Sequence, residues 1–152
     1  MRTALAATWT LLLGMALLML GAGLQGTLVG LRASLEGFPT LLAGIMLAAY
    51  YLGYMVGSVM TPGLVNSVGH VRVFAALTSL ASALILLQGV FVAPLPWTLV
   101  RILMGFCFAG IYVVAESWLN GRVDNEHRGL LLSIYMLVCY GGLGLGQLLL
   151  NV

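Results

Sequence analysis

The stretch Trp97–Asn120, WTLVRILMGFCFAGIYVVAESWLN, decides how the rest of the sequence is read. It exceeds the roughly twenty mostly apolar residues that cross a bilayer, yet it carries two charges, Arg101 and Glu116. Arg101, Gly105, Ala109, Tyr112 and Glu116 follow at steps of four, four, three and four residues. At the helical period these positions share one stripe of one face. A charge at membrane depth costs about 2.5 kcal/mol or more on insertion scales, so such side chains face protein, a partner or a water-filled cavity. The stretch therefore predicts a membrane-spanning helix whose small, polar stripe faces a cavity.

The remaining composition agrees with a membrane setting. Of 152 residues, 62% are hydrophobic and only 7% charged, against about a quarter charged in soluble domains. The mean hydropathy is +1.12. There is no lysine, and six arginines against four acids give a net charge of +2, too little for a nucleic-acid footprint. Cys107 and Cys139 lie in apolar runs without neighbours at metal-ligand spacing and read as packing residues. His70 and His127 are single loop histidines with no second ligand. No serine, cysteine or histidine arrangement supports nucleophilic catalysis. The sequence thus offers neither an enzyme nor a bound cofactor.

Charged or Pro/Gly-rich breaks divide the chain into five spans, near Ala4–Leu31, Thr40–Met60, Val73–Val92, Trp97–Leu119 and Gly129–Leu150. They predict an all-α polytopic helix bundle, residues 1–152 forming one transmembrane domain with short connections. The first span begins like a signal peptide, but its apolar run continues to Leu31, so it reads as a retained helix. Pro39 suits the first turn of the second span, Pro62-Gly63 ends it, and Pro94 and Pro96 frame the turn before the fourth. Asp124, Asn125 and Glu126 open the fifth, where acids suit the helix dipole. Arg2, Arg72, Arg122 and Arg128 fall on one side, Arg32 and Arg101 toward the other. The positive-inside rule then places the N-terminus in the cytoplasm.

Small residues recur every four positions: Gly26 and Gly30; Ala49, Gly53 and Gly57; Gly105 and Ala109; Gly142 and Gly146. This spacing lets backbones approach closely in lipid. The glycine run from Gly141 to Gln147 has no strand before it and lies in an apolar span, so it is no dinucleotide loop.

The fourth span, with Arg101, Gly105, Ala109 and Gly110 at this spacing, resembles the fourth-helix motif of the major facilitator superfamily of secondary transporters, and within it the YcaD-like branch. The resemblance runs through GLQGTLVGLRASLEGF, the Tyr50–Gly57 stretch, AESWLN at Ala115–Asn120, HRGLLLSIYM and Gly146-Gln147. It implies bundles of three-helix repeats, alternating access, and a substrate path lined by the first and fourth helices of each half. Two departures stand out. In TPGLVNSVGHVR, the loop after the second span, Gly69 and Arg72 keep the family pattern, but Pro62 replaces its glycine and Asn66 its acid. The family's charge lock is thereby weakened at this inner loop of Asn66, Gly69 and Arg72. Family members also have about twelve spans, whereas this chain stops after the fifth, as the N-terminal part of such a fold.

The candidates for a substrate path or coupling site are Gln25, Arg101, Tyr112 and Glu116. Arg101 either snorkels to the headgroups, or faces the path, where it attracts an anionic substrate or holds down the pKa of a neighbouring carboxyl. Glu116 either pairs with Arg72, with Arg128 or with an arginine of the missing second half, or carries a proton. Gln25, near Thr27, either joins helices or touches substrate. Tyr50 and Tyr54, one turn apart, line the path or pack helices, packing being the simpler reading. Arg32 and Glu36 form a solvated pair. The expected function is transport of a small solute, with a proton as candidate coupling ion and lipid as surroundings. The alternative is a non-transporting accessory or assembly subunit, or an inactive remnant. Since a carrier encloses its substrate between opposed repeats, the chain alone is expected not to transport. It would need the missing second half or self-association through its cavity face.

Overall fold

The structure is a computed structural model that describes residues 2–122 and 125–151, with side chains except at residues 2–7, 125 and 151. Five α-helices follow in order: α1 (Arg2–Leu35), α2 (Thr40–Val68), α3 (His70–Val90), α4 (Pro94–Asn120) and α5 (Asn125–Leu148), with a 3₁₀ turn at Leu149–Asn151. All five are long and apolar enough to cross a membrane, and the described residues contain no strand. Hydrogen-bonding every backbone group within its own helix is what a bilayer demands of an open chain. Large apolar side chains such as Leu17, Val59, Leu86 and Leu137 project outward. An outward apolar surface is costly in water and neutral in lipid.

The helices are longer than the apolar runs suggest, and each extension has a local cause. Pro62-Gly63 does not end α2, which continues to Val68 with Pro62 inside it. Proline forfeits one backbone hydrogen bond, but leaving the helix within lipid would forfeit several, so the helix persists. Asn66 and Arg72, expected in a loop, therefore stand on α2 and α3, both exposed. The whole connection is Gly69, at φ 94°, a backbone conformation that L side chains avoid. Its N–H donates to the Val65 carbonyl at 2.9 Å, and its carbonyl accepts from Val73 N–H at 3.2 Å. Pro94 and Pro96 lie within the first turn of α4, where a missing N–H costs nothing. Arg32 occupies the last turn of α1, with Glu36 in the turn beyond it. Glu126 is in the first turn of α5, and Asp124 lies outside the described residues.

The helices group into two compact units, one of residues 34–117 and the other of α1 up to Ala33 with the chain from Trp118 onward. In the first unit, α2 and α4 meet at backbone contact. A Cβ added at Gly53 would fall on the Ile102 carbonyl, and one at Gly105 on the Tyr50 carbonyl. A Cβ at Gly57 would lie 2.5 Å from the Phe106 oxygen and 3.1 Å from the Ala109 methyl. Gly110 meets Leu77 of α3 and Thr61 of α2. At the end of α3, the buried Trp97 indole N–H donates to the Gln88 carbonyl at 3.0 Å, satisfying one of the carbonyls a helix end leaves open. Phe38 packs edge-on against Trp97 at 5.6 Å between centroids.

The second unit repeats this device between α1 and α5. A Cβ at Gly146 would strike the Leu20 carbonyl, one at Gly142 would lie 2.9 Å from the Ala16 oxygen, and one at Gly23 would meet the Leu143 carbonyl. Gly26 and Gly30 have the same spacing but a different setting. No described atom lies within 4 Å of a Cβ built at either.

Candidate functional site

The stripe Arg101-Gly105-Ala109-Tyr112-Glu116 is, over most of its length, the α4 side of the seam with α2. Gly105 bears on Tyr50 and Tyr54, Ala109 on Gly57, and the Tyr112 ring lies 6.5 Å from that of Tyr54. The expected open cavity is thus, at Gly105 and Ala109, a closed helix contact. The physical reason is that the small residues which could line a cavity also permit backbones to touch. More than half of the α4 membrane window, 56%, is buried, against 22–28% in the other four helices. That enclosure makes α4 the place where polar groups can be held away from lipid.

Arg101 lies at the Trp97 end of this seam and is 7% exposed. Among the described residues it is the only charged side chain that is buried. Snorkelling to the headgroups is therefore not its conformation. Its guanidinium carbon sits 4.9 Å from the centroid of the Tyr50 ring, and its Nε finds no hydrogen-bond partner among the described residues. The Tyr50 ring offers it a π-face but no formal negative charge. Cation–π contact returns about 0.5–2 kcal/mol, whereas placing arginine at membrane depth costs about 2.5–3.5 kcal/mol or more. The tyrosine alone leaves the charge undercompensated.

From Tyr50 the aromatic rings continue along the seam. Tyr50 and Tyr54 are 6.2 Å apart between centroids, Tyr54 and Tyr112 6.5 Å, and Tyr51 meets Tyr50 edge-on at 5.6 Å. The pairing of Arg101 with Tyr50 is not evident from sequence, because periodicity assigns a face to each helix but not the neighbour it meets.

Glu116 is half-buried at the opposite end of the stripe. The next residue, Ser117, shares a hydrogen bond of 3.0 Å with the His70 Nε2. His70 thus ties the start of α3 to α4 instead of standing free in a loop. The only sequence signal for this contact is a polar pair, Glu116-Ser117, close to the end of an apolar run. In the other unit, Gln25 is buried at 9% exposure, and Thr27 spends its hydroxyl on the Gly23 carbonyl at 3.2 Å. Arg122 stacks over the Trp118 ring at 3.9 Å. Cys107 and Cys139 are both buried free thiols. No group of three or more His, Cys, Asp or Glu that could hold a metal ion occurs among the described residues.

The seam thus holds a buried cation and a line of tyrosines between two backbone-packed apolar helices. Comparison with known proteins gives the family. The family model described as sugar (and other) transporter matches residues 19–150. The chain is 35% identical, over 93% of its length, to the uncharacterized MFS-type transporter YcaD of Salmonella arizonae. Its counterparts in Salmonella newport and Salmonella typhimurium match at the same 35% identity and 93% coverage. The chain spans 37% of the length of each of these relatives. No solved structure matches it. The chain is an integral membrane protein that belongs to the sugar (and other) transporter family of the major facilitator superfamily.

Proposed function

We propose that this chain is the N-terminal part of a secondary transporter that moves a small solute across the bacterial inner membrane by alternating access. The observation that carries the reading is Arg101. A buried cation with an open Nε, on the most enclosed of five apolar helices, suits a carrier and has no evident use in a purely structural helix. Membership of a transporter family supports it. Glu116, half-buried at the other end of the same helix, is the candidate proton carrier, and lipid covers the outward apolar faces. Because a carrier binds its substrate between opposed repeats, the remaining helices, or a second copy, complete the path.

The test is reconstitution in proteoliposomes, with and without the remaining helices of a full-length relative added as a separate polypeptide. Exchange of a labelled solute from a panel of sugars and organic acids is expected only in the combined sample, and Arg101→Ala abolishes it. Exchange in neither sample overturns the transport reading. Exchange by the chain alone overturns the division of the path.

The same reading places the N-terminus in the cytoplasm, on the asymmetry of four arginines against two. Ser34 and Ser67 are both exposed and lie in the last turns of α1 and α2, which are one span apart along the chain. In a background without Cys107 and Cys139, a cysteine at 34 should be labelled from outside intact cells and one at 67 should not. Outside labelling at 67 inverts the topology.

A further inference from the structure

We propose that Trp118 and Arg122, where α4 leaves the membrane, form a shelf that holds the phosphodiester of a membrane phospholipid headgroup. The proposal is independent of the transport reading, and it gives a use to Trp118 of the AESWLN segment, which that reading leaves without one.

Position along the chain sets the level of the shelf. Trp118 stands in the last turn of α4, which ends at Asn120, and Arg122 follows in the connection to α5. The apolar spans on either side are Pro94–Asn120 and Glu126–Leu148, so Arg122 lies between the ends of two membrane-crossing segments. Headgroups occupy that level. Tryptophan is enriched there because its ring system is apolar in body and polar at the N–H. On the apolar side of the same level Leu130 of α5 is exposed, as a residue facing acyl chains is.

The contact itself sets the chemistry. The Arg122 guanidinium carbon sits 3.9 Å from the centroid of the Trp118 ring, closer than Arg101 sits to Tyr50 at 4.9 Å. Trp118 is half-buried and Arg122 exposed, so the ring is a fixed base and the cation lies on its outer side. The Arg122 backbone N–H donates to the Leu119 carbonyl at 3.2 Å, a turn that brings the residue back beside the helix end. A planar guanidinium stacked by its face keeps its fork of N–H donors free along the edge. Among the described residues that edge meets neither a hydrogen-bond acceptor nor a carboxylate. Two oxygens of a phosphodiester match the fork in two parallel N–H···O bonds. An arginine already held on a ring gives up less rotamer freedom when it binds than a loose one does.

Net charge does not do the selecting. Attraction of lipid by charge alone uses clusters of about four to eight basic residues. From residue 122 to 128 the chain carries two arginines, Arg122 and Arg128, against two acids, Asp124 and Glu126, a sum of zero with His127 neutral. The shelf therefore selects for the phosphodiester, and phosphatidylcholine and phosphatidylglycerol should serve alike. A soluble phosphate ester offers the same oxygens without acyl chains to hold it at this level, and the experiment separates the two sources.

The test is native mass spectrometry of the purified chain, measuring the first lipid retained from detergent micelles doped with phosphatidylcholine, phosphatidylglycerol or diglucosyl diacylglycerol of the same acyl chains. Both phospholipids should be retained at least about threefold more than the phosphate-free glycolipid, as expected for a bidentate contact at an exposed site. Arg122→Gln should remove that preference, and Arg122→Lys, which keeps the charge without the flat fork, should not restore it. The same change at Arg32, in the last turn of α1, should leave the preference intact. Glycerophosphocholine, the headgroup without chains, should not displace the bound lipid. Should Arg122→Gln fail to fold, the phospholipid-to-glycolipid ratio in the unsubstituted chain decides. Equal retention of the glycolipid, a preference indifferent to Arg122→Gln or lost equally with Arg32→Gln, or full preference with Arg122→Lys overturns the proposal. Displacement by glycerophosphocholine, or retention of phosphatidylglycerol alone, overturns it as well.

Discussion

Two pairs of helices in this protein use one packing device for different ends. Between α1 and α5, Gly142 and Gly146 bring backbones together along a seam that carries no buried charge among the described residues. Between α2 and α4, Gly53, Gly57 and Gly105 do the same, but that seam carries Arg101 at one end, stacked on Tyr50. The comparison separates packing from chemistry. Glycine spacing explains how close two helices lie, and only the polar residue that interrupts the pattern says what the contact is for.

The largest effect that would break the comparison comes from the glycines themselves. Gly105→Leu and Gly146→Leu both drive a side chain into backbone on the facing helix, with no flexible neighbour to yield. Each should cost about 3 kcal/mol or more, beyond the usual penalty of overpacking. Urea unfolding in detergent measures it, and a cost under about 1 kcal/mol at either position would mean that the backbones are not in contact there.

The seams should part company at Arg101→Leu. Replacing an undercompensated buried charge by an apolar side chain of similar reach should stabilise the chain by about 1–3 kcal/mol. Apolar-to-apolar changes in the α1/α5 seam have no such gain available. A lower unfolding midpoint for Arg101→Leu would show the arginine to be satisfied where it stands.

Smaller effects sharpen the picture. Ser117→Ala removes the hydroxyl that pairs with His70 and should cost about 1 kcal/mol; the loss should vanish when His70 is already alanine, as a double-mutant cycle would report. Gly26→Ala, in contrast to its spacing twins, meets no described atom within 4 Å. It should stabilise α1 by about 0.5–1 kcal/mol through helix propensity alone. A loss at Gly26 would reveal a close approach there.

These contrasts also mark what could be read from sequence. Five helices and the shared face of Arg101, Gly105, Ala109 and Tyr112 follow from hydropathy and the 3.6-residue period, because both depend on the chain's own local geometry. The helix ends followed less well. Pro62 is a stop in water, where backbone groups released from a helix find solvent, and it is only an interruption in lipid, where they do not. The neighbour of each face was not legible at all. Gly26-Gly30 and Gly142-Gly146 have the same four-residue spacing, yet only the second pair meets a backbone, and nothing within α4 says that its stripe closes on α2. His70 reads as a loop residue only while its partner, Ser117, 47 residues away, is unknown.

The central claim is that Arg101 is a buried charge still lacking its anion, and a coupling energy tests it most directly. Tyr50→Glu sets a carboxylate against the guanidinium, and its effect on unfolding free energy can be compared in the Arg101 and Arg101→Leu backgrounds, with Tyr50→Gln as the neutral control. If the charge is uncompensated, the carboxylate should be favoured by Arg101 by about 2 kcal/mol or more, as for close, desolvated charge pairs. A coupling near zero would contradict the account, because it would mean that the guanidinium already has its counter-charge or is bathed in water.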